Sequence, residues 1–429
     1  MTPAPRAPAH WELTDAIPER MPLLDEWLAH AAPSRPLAGV TLLLIQHQLG
    51  NHVPQARALL ELGVAPRDLH WIDIPYTATP AVRDHLIRLG IPRENFVVGD
   101  YGLLDAYATH QRKKVQSVYR RLLEQPPRRL VVLDDGSYFL EAMASFKARL
   151  PSVAIVEQTT RGLIKIEDDA ALELESRRVP IINVARSDPK MRLEPPFIGY
   201  AVCDALRRRI GSRLVPRPND RALVVGFGAI GRQVAAFLAA TLGFAARRVH
   251  VHDVDEKRQA AAAVLGHPPW DRRDFEQRFR LVVGCSGRAS FRVGDHVYLE
   301  DGALLASASS GSVELSREEF IELAQADPDD DIHVVGSGGS AVHGDLHFTF
   351  RDRTATFVNA GFPVNFDGRV NCVPSHYIQP TPTMMCAAAL QAAGATVPGV
   401  QSLEAKFGGW LEARFRELLG SECDLLPSG

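Results

Sequence analysis

The sequence predicts an α/β protein that contains two parallel β-sheets, each covered by helices on both faces. Short apolar segments of strand length alternate with segments of helical periodicity along most of the 429 residues, and such alternation is typical of parallel sheets. A glycine-rich turn at residues 226–231 lies between an apolar segment and a helical one. Strands occur both well before this turn and around it. The pattern therefore predicts one domain before the turn and a second domain that contains it.

The first half of the chain contains six predicted strands. A leader at residues 1–20 and a helix at residues 21–32 precede them. The strands are expected at residues 40–46, 69–74, 96–98, 130–133, 153–156 and 181–184. Helices are expected at residues 53–62, 80–89 and 103–123, and the first two end at glycines, Gly63 and Gly90, which is typical of a helix terminus.

The second half contains a predicted connecting helix at residues 197–210 and four strands around the glycine-rich turn. These strands are expected at residues 223–225, 249–252, 281–283 and 303–305. Residues 332–359 predict β-hairpins, and the Gly-Ser stretch at residues 336–340 is interpreted as a turn rather than a second phosphate loop, because no helix follows it. Helices are expected at residues 383–393 and 403–419.

The glycine-rich turn predicts a dinucleotide-binding site. Its glycines have the spacing Gly-x-Gly-x-x-Gly in the run Gly226-Phe227-Gly228-Ala229-Ile230-Gly231. The first glycine permits the tight turn, the second lets a pyrophosphate approach the backbone, and the third lets the helix pack close to the sheet. The N-terminus of the helix then offers N–H groups to the phosphates. The alternative interpretation is a strand-turn-helix that binds no ligand.

An acidic residue after the next predicted strand favours NAD as the cofactor. Asp253 lies 253 − 231 = 22 residues beyond Gly231, close to the roughly 20 residues expected of an acid that binds the ribose hydroxyls. An acid at this position repels a 2′-phosphate, so NAD is favoured over NADP. Arg258 lies nearby and would favour a 2′-phosphate, but we interpret it as a residue that faces solvent.

Composition and charge exclude several classes of function. Hydrophobic residues make up 46% of the chain and charged residues 23%, which is ordinary for a soluble globular protein. The net charge of −3 gives no electrostatic case for nucleic-acid or membrane partners. Neither a signal peptide nor an apolar segment of membrane-spanning length occurs. The five cysteines lack metal or redox spacing, so we expect a cytoplasmic protein with no metal and no disulfide framework.

Polar clusters follow four strands of the first predicted domain. They are Gln46-His47, Asp134-Asp135-Gly136, the run from Glu157 to Thr160, and Lys190. In open parallel sheets, ligands bind beyond the carboxyl ends of the strands. Each cluster alone is typical of a turn or a helix cap, but four clusters at one edge of one sheet predict a binding site.

The order of these motifs resembles that of adenosylhomocysteinase, the NAD-dependent S-adenosylhomocysteine hydrolase, from about Met21 to Leu390. His47 lies where the family has the His of its His-Met-Thr motif. Other matching motifs follow in the family's order: Leu133-Asp134-Asp135-Gly136, Glu157-Gln158-Thr159-Thr160, Ile182-Asn183-Val184 with Lys190, Gly226 to Gly231, Gly284-Cys285, and Asp367-Gly368-Arg369-Val370-Asn371. Each motif alone is unspecific, and their shared order indicates a divergent member of that superfamily.

The resemblance implies two Rossmann-like domains, a substrate domain with an inserted NAD-binding domain. The substrate domain would occupy residues 21–196 and the NAD domain residues 197–371. A return segment at residues 372–405 would complete the substrate domain, and residues 406–429 would form a C-terminal helix and tail.

The resemblance also implies a reaction. In the family, NAD oxidises the ribose 3′-hydroxyl, a base removes the acidified 4′ proton, the 5′ substituent leaves, water adds and NADH restores the alcohol. Lys190 would be the base on the 3′-hydroxyl, His47 and Asp135 would carry protons near the leaving group, and Glu194 would keep the acid that follows the catalytic Lys.

The binding residues follow from the same resemblance. The nicotinamide end of NAD would contact Thr159, Thr160 and Asn371. The rest of NAD would contact Gly226, Gly228, Ala229, Ile230, Gly231 and Asp253. A nucleoside substrate would contact Gln158, Ser375 and His376.

This sequence departs from the family mainly at the substrate. Gln158 replaces a Glu that contacts ribose and cannot act as a base, Leu49 replaces a Thr, and Val373 replaces a His that contacts adenosine. The family's C-terminal arm with Lys and Tyr is absent, so its tetramer is not assumed. A homo-oligomer, a dimer or a tetramer, is nevertheless expected.

Three interpretations remain open from the sequence. The first is an adenosylhomocysteinase-like NAD-dependent enzyme that oxidises a nucleoside ribose and then eliminates, hydrates or epimerises. The second is genuine S-adenosylhomocysteine hydrolysis, and the third is a catalytically silent, NAD-binding regulatory protein. A 2-hydroxy-acid or amino-acid dehydrogenase would share the glycine-rich turn but not the polar clusters of the first domain.

Overall fold

A computed structural model describes residues 6–211, 213–326, 331–335, 341–350 and 353–427. The predicted turn at residues 336–340, the first five residues of the leader and the last two of the tail lie outside them. The strands are β1 (Thr41–Ile45), β2 (Leu69–Ile72), β3 (Phe96–Val97), β4 (Leu130–Asp134), β5 (Val153–Glu157), β6 (Pro180–Asn183), β7 (Ala222–Val225), β8 (Val249–His252), β9 (Phe279–Gly284), β10 (Leu299–Ser307), β11 (Asp331–Val335), β12 (Asp345–Phe350), β13 (Arg353–Phe357) and β14 (Gly399–Ser402).

The α-helices lie between these strands for most of the chain. They are α1 (Pro22–Ala31), α2 (His52–Glu61), α3 (Pro80–Arg88), α4 (Tyr107–Glu124), α5 (Tyr138–Ser145), α6 (Thr160–Asp168), α7 (Ala170–Ser176), α8 (Asp188–Leu193), α9 (Pro195–Ile210), α10 (Ala229–Leu242), α11 (Glu256–Val264), α12 (Arg317–Ala326), α13 (Ser375–Ile378), α14 (Pro380–Gly394) and α15 (Ala405–Leu419).

The chain forms two compact domains. The flanking domain comprises the described residues of 10–100, 108–194 and 369–427, and the inserted domain comprises those of 6–9, 101–107 and 195–368. The chain thus leaves the flanking domain after Glu194 and returns to it at Arg369.

The flanking domain contains a seven-stranded sheet in the order β14-β6-β5-β4-β1-β2-β3. All its neighbouring strands pair in parallel. The chain builds outward from β1 through β2 to β3, then returns to the other side of β1 with β4. This reversal creates a switch point between β1 and β4, where ligands of such sheets bind beyond the carboxyl ends of the strands.

The inserted domain contains a second seven-stranded sheet in the order β11-β12-β13-β10-β9-β7-β8. Strands β13, β10, β9, β7 and β8 pair in parallel, and β11, β12 and β13 pair as antiparallel hairpins. The hairpins predicted for residues 332–359 are confirmed, as is the α/β fold class with two Rossmann-like sheets. The switch point of this sheet lies between β7 and β9. The glycine-rich turn begins directly after the carboxyl end of β7.

One strand of the flanking sheet was not predicted. Strand β14 pairs in parallel with β6 at the edge of the sheet, and its four residues are half-buried or exposed. Its sequence, Gly-Val-Gln-Ser, has a single large apolar residue, so hydrophobic patterning gives no signal for it. The helix predicted at residues 403–419 begins instead after this strand, at Ala405.

Residues 11–16 of the predicted leader are attached to the flanking domain. The ring of Trp11 stacks on Tyr377 with centroids 5.8 Å apart, and the amide nitrogen of Asn371 donates to the backbone carbonyls of Thr14 and Ala16 at 3.0 and 2.8 Å.

The five cysteines are free thiols. Among the described residues, no helix is both long enough and apolar enough to cross a bilayer.

Candidate functional site

Two glycines fix the shape of the turn after β7. Gly226 has φ +96°, and a Cβ there would lie 2.8 Å from the backbone carbonyl of Cys285. A Cβ on Gly231 would lie 1.8 Å from the carbonyl oxygen of Gly226, so helix α10 approaches the turn more closely than any side chain permits. These positions therefore require glycine for packing, as the sequence predicted for the first and third glycines.

Gly228 differs from the other two glycines because its missing side chain faces open space. A Cβ there would approach only the Nη1 atom of Arg258, at 3.9 Å. The residue caps the N-terminus of α10, whose first residues are Ala229 and Ile230. The first N–H groups of a helix have no partner within the helix. An open approach to these groups is the geometry that a dinucleotide pyrophosphate requires.

Asp253 follows β8 and is bonded to the glycine-rich turn. Its Oδ2 atom accepts a hydrogen bond from the N–H of Phe227 at 2.6 Å, and Oδ1 accepts from the N–H of Asp255 at 2.9 Å. A carboxylate offers about four acceptor sites, so capacity for two ribose hydroxyls remains. Arg258, interpreted from sequence as facing solvent, is half-exposed and lies 3.9 Å from Asp253 and 3.6 Å from Asp255.

The presence of Asp253 after β8 predicts a preference for NAD over NADP. Asp253→Ser is expected to shift the ratio of NAD to NADP affinity toward NADP by roughly tenfold, because it removes the charge that repels a 2′-phosphate while Arg258 stays in place. Calorimetric titration with each dinucleotide measures the ratio. Asp255→Ser is the matched control, since that carboxylate contacts Arg258 but accepts no hydrogen bond from Phe227. An unchanged ratio in Asp253→Ser would contradict the assignment.

In the flanking domain, His47 and Asp135 meet at the switch point between β1 and β4. The Nε2 atom of His47 lies 3.1 Å from Oδ2 of Asp135, and both side chains are nearly fully buried. Burial alone would raise the pKa of Asp135, but the charge and hydrogen bond of His47 outweigh it and lower that pKa. A hydrogen bond from Gln158 and the charge of Lys190 act in the same direction. Asp135 is therefore an ionised carboxylate near neutral pH.

The other nitrogen of His47 has its own partner. Nδ1 lies 2.8 Å from the hydroxyl of Thr77, and that hydroxyl donates to the carbonyl of Ile74 at 3.2 Å. With the Thr77 proton directed to Ile74, the Nδ1–H of His47 is the donor in the first bond. Nε2 is then the nitrogen that exchanges a proton with Asp135, which makes the pair suitable for proton transfer.

A second histidine lies beside this pair but does not share its chemistry. The rings of His52 and His47 have centroids 6.3 Å apart. Burial, reinforced by the charge of His47 and partly offset by Asp135, lowers the pKa of His52 to about 3. His52 is therefore neutral across the physiological range.

We expect histidine-labelled protein to show no titration of His52 between pH 5 and 8 in NMR spectra, with the His52→Phe variant assigning the signal. The physical reason is the burial that holds the pKa of His52 at about 3. The reference is the ordinary pKa of a solvated histidine side chain, roughly 6.5. A midpoint for His52 near that ordinary value would show that the imidazole is solvated.

Lys190 and Glu194 form an ion pair on helix α8 and at its C-terminus. The Nζ atom of Lys190, on α8, lies 3.0 Å from Oε2 of Glu194, and both side chains are mostly buried. The charge of Lys190 acts on Asp135, so these sequence-predicted catalytic residues belong to one electrostatic cluster with His47.

Within the run from Glu157 to Thr160, Gln158 contacts Asp135, whereas Glu157 and Thr159 stabilise the surrounding loops. The carboxylate of Glu157 is buried and accepts hydrogen bonds from the backbone and hydroxyl of Ser137 and of Thr159. The hydroxyl of Thr159 also accepts from the N–H of Gly162 and so caps α6. Thr160 begins that helix and is exposed. Glu157 thus ties the loops after β4 and β5 together, whereas Gln158 alone reaches Asp135.

Asp134 has a structural role beside Asp135. Its two oxygens accept from the N–H groups of Tyr138 and Phe139, at 3.2 and 2.8 Å, at the N-terminus of α5. Burial and the neighbouring Glu157 carboxyl raise the pKa of Asp134 well above its ordinary value. The two adjacent aspartates therefore differ in their partners and in the direction in which the protein shifts their pKa.

The remaining predicted residues lie after the return to the flanking domain. The amide nitrogen of Asn371 is bonded to residues 14 and 16, while its Oδ1 is buried without a hydrogen-bond partner among the described residues. The hydroxyl of Ser375 donates to Oδ1 of Asn51 at 2.9 Å. His376 is exposed, with its ring 6.4 Å from that of His10.

Two contacts of the site in the flanking domain and one strained segment of the inserted domain were not predicted. Gln55 and Thr77 contact the cluster from α2 and from the loop after β2, and nothing in their local sequence marks them. Asn359 and Ala360 follow the carboxyl end of β13 in the left-handed region, with φ of 54° and 51°. A non-glycine pair in that region stores strain, which is typical of functional segments. The run Val-Asn-Ala-Gly after an apolar strand was the available signal.

The fold and these sites define a protein with two Rossmann-like domains, one bearing a glycine-rich turn after its first strand and the other a buried His–Asp pair beside a Lys–Glu pair. Two uncharacterized proteins from two strains of Mycobacterium tuberculosis are each 30% identical over 363 residues, which is 82% of this chain and 63% of the relative. The chain thus spans 63% of the length of these curated relatives. No protein-family model matches the chain.

Solved structures resemble the chain more distantly. A putative D-3-phosphoglycerate dehydrogenase from Ralstonia solanacearum has 13% identity and a TM-score of 0.39, with 83% of this chain and 97% of that chain covered. Dipicolinate synthase A chain from Bacillus subtilis has 10% identity and a TM-score of 0.33, with 67% and 86% covered. L-tryptophan dehydrogenase from Nostoc punctiforme has 14% identity and a TM-score of 0.27, with 67% and 73% covered. Likenesses this low carry no argument about function.

Proposed function

We propose that the chain is an NAD-dependent enzyme of the adenosylhomocysteinase kind that oxidises the ribose of a nucleoside and then eliminates, hydrates or epimerises. The observation that carries this proposal is the buried cluster at the switch point of the flanking sheet. It joins the His47–Asp135 pair to the charge of Lys190, and this domain is separate from the one that bears the dinucleotide turn. A simple dehydrogenase needs one base for the alcohol proton, whereas this cluster contains two acid–base pairs, His47–Asp135 and Lys190–Glu194.

The residues of the inserted domain fit NAD. Gly228 leaves the backbone open to a pyrophosphate, α10 supplies N–H groups, and Asp253 retains acceptor capacity for ribose hydroxyls. When bound, NAD would supply the hydride acceptor for the oxidation of a ribose hydroxyl.

Lys190 is the proposed base on that hydroxyl. Its ammonium proton can pass to the Glu194 carboxylate 3.0 Å away, which leaves a neutral amine able to take the hydroxyl proton. Glu194 therefore serves as the temporary proton acceptor for Lys190.

Asp135 and His47 are the proposed proton carriers for the second stage. Asp135 is ionised and uses Oδ2 for both His47 and Gln158, so Oδ1 is available to take a proton from carbon or water. His47 can deliver a proton through Nε2 to a leaving group, and in a hydration the proton taken from water returns to the 4′ carbon. Gln158 has no titratable proton, so it orients Asp135 and does not act as a base.

The proposal is tested with protein as purified and no cofactor added. Denaturation should release NAD, and mixing the native protein with adenosine should produce the near-ultraviolet band of enzyme-bound NADH. In Lys190→Met, we expect NAD to be retained and the band to be lost. Lys113→Met, at an exposed position of α4, is the matched control and should behave as the wild type.

Each other outcome selects a different function. Release of homocysteine from S-adenosylhomocysteine would favour genuine hydrolysis. Retained NAD with no band for any nucleoside would favour a silent NAD-binding protein, and a band that persists in Lys190→Met would refute the assigned base.

A further inference from the structure

Three glutamine side chains form a hydrogen-bonded chain that ends on Asp135. Gln55 donates through Nε2 to Oε1 of Gln46 at 2.8 Å. Gln46 donates through Nε2 to Oε1 of Gln158, and Gln158 donates through Nε2 to Oδ2 of Asp135 at 2.7 Å. The three glutamines are 1%, 0% and 7% exposed, so water does not compete for these bonds.

The chain crosses the switch point of the flanking sheet. Gln46 follows β1, Gln158 follows β5, and Asp135 follows β4, which lies between them. The backbone carbonyl of Gln46 accepts from the indole of Trp71 at 2.9 Å, and the backbone N–H of Gln158 donates to the carbonyl of Asp134 at 3.1 Å. Both ends of the central amide–amide contact are therefore fixed to the sheet.

The direction of the three amides is determined by the charge of Asp135. An ionised carboxylate only accepts hydrogen bonds, so Gln158 must present its NH₂ group to Asp135 and its oxygen to Gln46. Gln46 must then present its NH₂ group to Gln158 and its oxygen to Gln55. If the Gln46 amide were lost, Gln158 could rotate and present its oxygen to Asp135 for part of the time, which favours the protonated acid.

We propose that Gln46 and Gln55 are positioning residues that act through Gln158 to hold the Asp135 carboxylate ionised and correctly oriented toward His47. The catalytic meaning of this inference rests on the proposed function, whereas the hydrogen-bond relay does not. The relay also explains the choice of glutamine at position 158. A glutamate there would place a second carboxylate against Asp135. The two carboxylates would share a proton near neutral pH, and Asp135 would then be less able to accept one from the substrate.

The test follows the ionisation of Asp135 directly and needs neither substrate nor NAD. Protein labelled with ¹³C at the aspartate carboxyl carbon is titrated by NMR, and Asp135→Asn assigns the signal. Gln158→Met should raise the titration midpoint of Asp135 by about one pH unit, and Gln46→Met by about half a unit. Gln55→Met should shift it in the same direction by less. Gln158→Glu should raise it by more than Gln158→Met.

Gln111→Met is the matched control. Gln111 is fully buried and donates to the backbone carbonyl of Asp73 at 3.0 Å, so its loss costs a buried hydrogen bond outside the relay. The Asp135 midpoint should stay at the wild-type value in this variant.

An Asp135 midpoint in Gln46→Met equal to that of the wild type would overturn the proposal, because Gln46 would then only fill space. If Gln46→Met does not fold, as judged by thermal melting, Gln55→Met and Gln46→Glu decide in the same way. A further outcome is that the adenosine experiment gives no NADH band while the Asp135 midpoint shifts occur as predicted here. That result would refute the proposed function and leave the relay intact.

Discussion

Gly228→Ala is expected to weaken dinucleotide binding by about 100-fold, or roughly 2.7 kcal/mol, without lowering the Tm of the nucleotide-free protein. The new methyl group would occupy the open approach to the N-terminus of α10, where the backbone must come close to a pyrophosphate. It would meet only the Nη1 atom of Arg258 at 3.9 Å. The backbone of Gly228, with φ −72° and ψ −163°, is extended and accepts alanine without strain.

Gly231→Ala is the informative comparison for this variant. Its Cβ would lie 1.8 Å from the carbonyl oxygen of Gly226, so α10 must move away from the turn, and we expect a loss of stability of about 2–4 kcal/mol. Binding is measured by titration with NAD and stability by thermal and urea unfolding. If Gly228→Ala binds NAD as tightly as the wild type, the open face of the turn is not the phosphate site.

Asp135→Asn is expected to lower turnover by about 10²–10⁴-fold, the usual contribution of an acid–base group. Asparagine keeps the shape of the side chain but cannot take a proton from carbon or water. Folding depresses the pKa of Asp135, so its carboxylate stabilises the fold above the unfolded pKa, and this contribution is lost as the pH falls through the folded pKa. The variant should therefore lose part of the acid sensitivity of wild-type stability.

The control is the adjacent aspartate. The pKa of Asp134 is raised by burial and by Glu157, so a neutral side chain suits this site, and Asp134→Asn should retain activity. It should lose about 1 kcal/mol of stability, because an amide replaces one of the two acceptors at the N-terminus of α5. Steady-state rates and urea unfolding of both variants separate the two roles. Equal rates for Asp135→Asn and the wild type would remove Asp135 from the mechanism.

The sequence predicts the glycine-rich turn in detail because the shape of such a turn depends on consecutive residues. The packing of Gly226 and Gly231 and the open face of Gly228 follow from their spacing alone. The meeting of His47 with Asp135 was predictable for a related reason. The carboxyl ends of parallel strands share one edge, so residues that follow β1 and β4 must approach each other once the strand order is known.

The glutamine relay was not predictable, because it depends on tertiary packing. Gln55 contacts Gln46 only because α2 packs beside the end of β1, and Gln46 contacts Gln158 only because β1 and β5 lie on either side of β4. Nothing in the spacing of these residues encodes that contact. The same limit applies to Asn371, whose amide is bonded to residues 14 and 16, and the homo-oligomeric state stays a prediction.

The late position of β14 in the chain has a consequence for biosynthesis. The last strand of the inserted sheet ends at Phe357, whereas the flanking sheet needs α14 and β14, which end at Gly394 and Ser402. Helix α14 packs on β4, β5 and β6, and most of its residues are buried. During synthesis, the inserted sheet is complete while the flanking sheet still exposes an apolar face and an unpaired edge at β6. Exposed apolar surface and an unpaired strand edge are the features that make a nascent chain prone to aggregate.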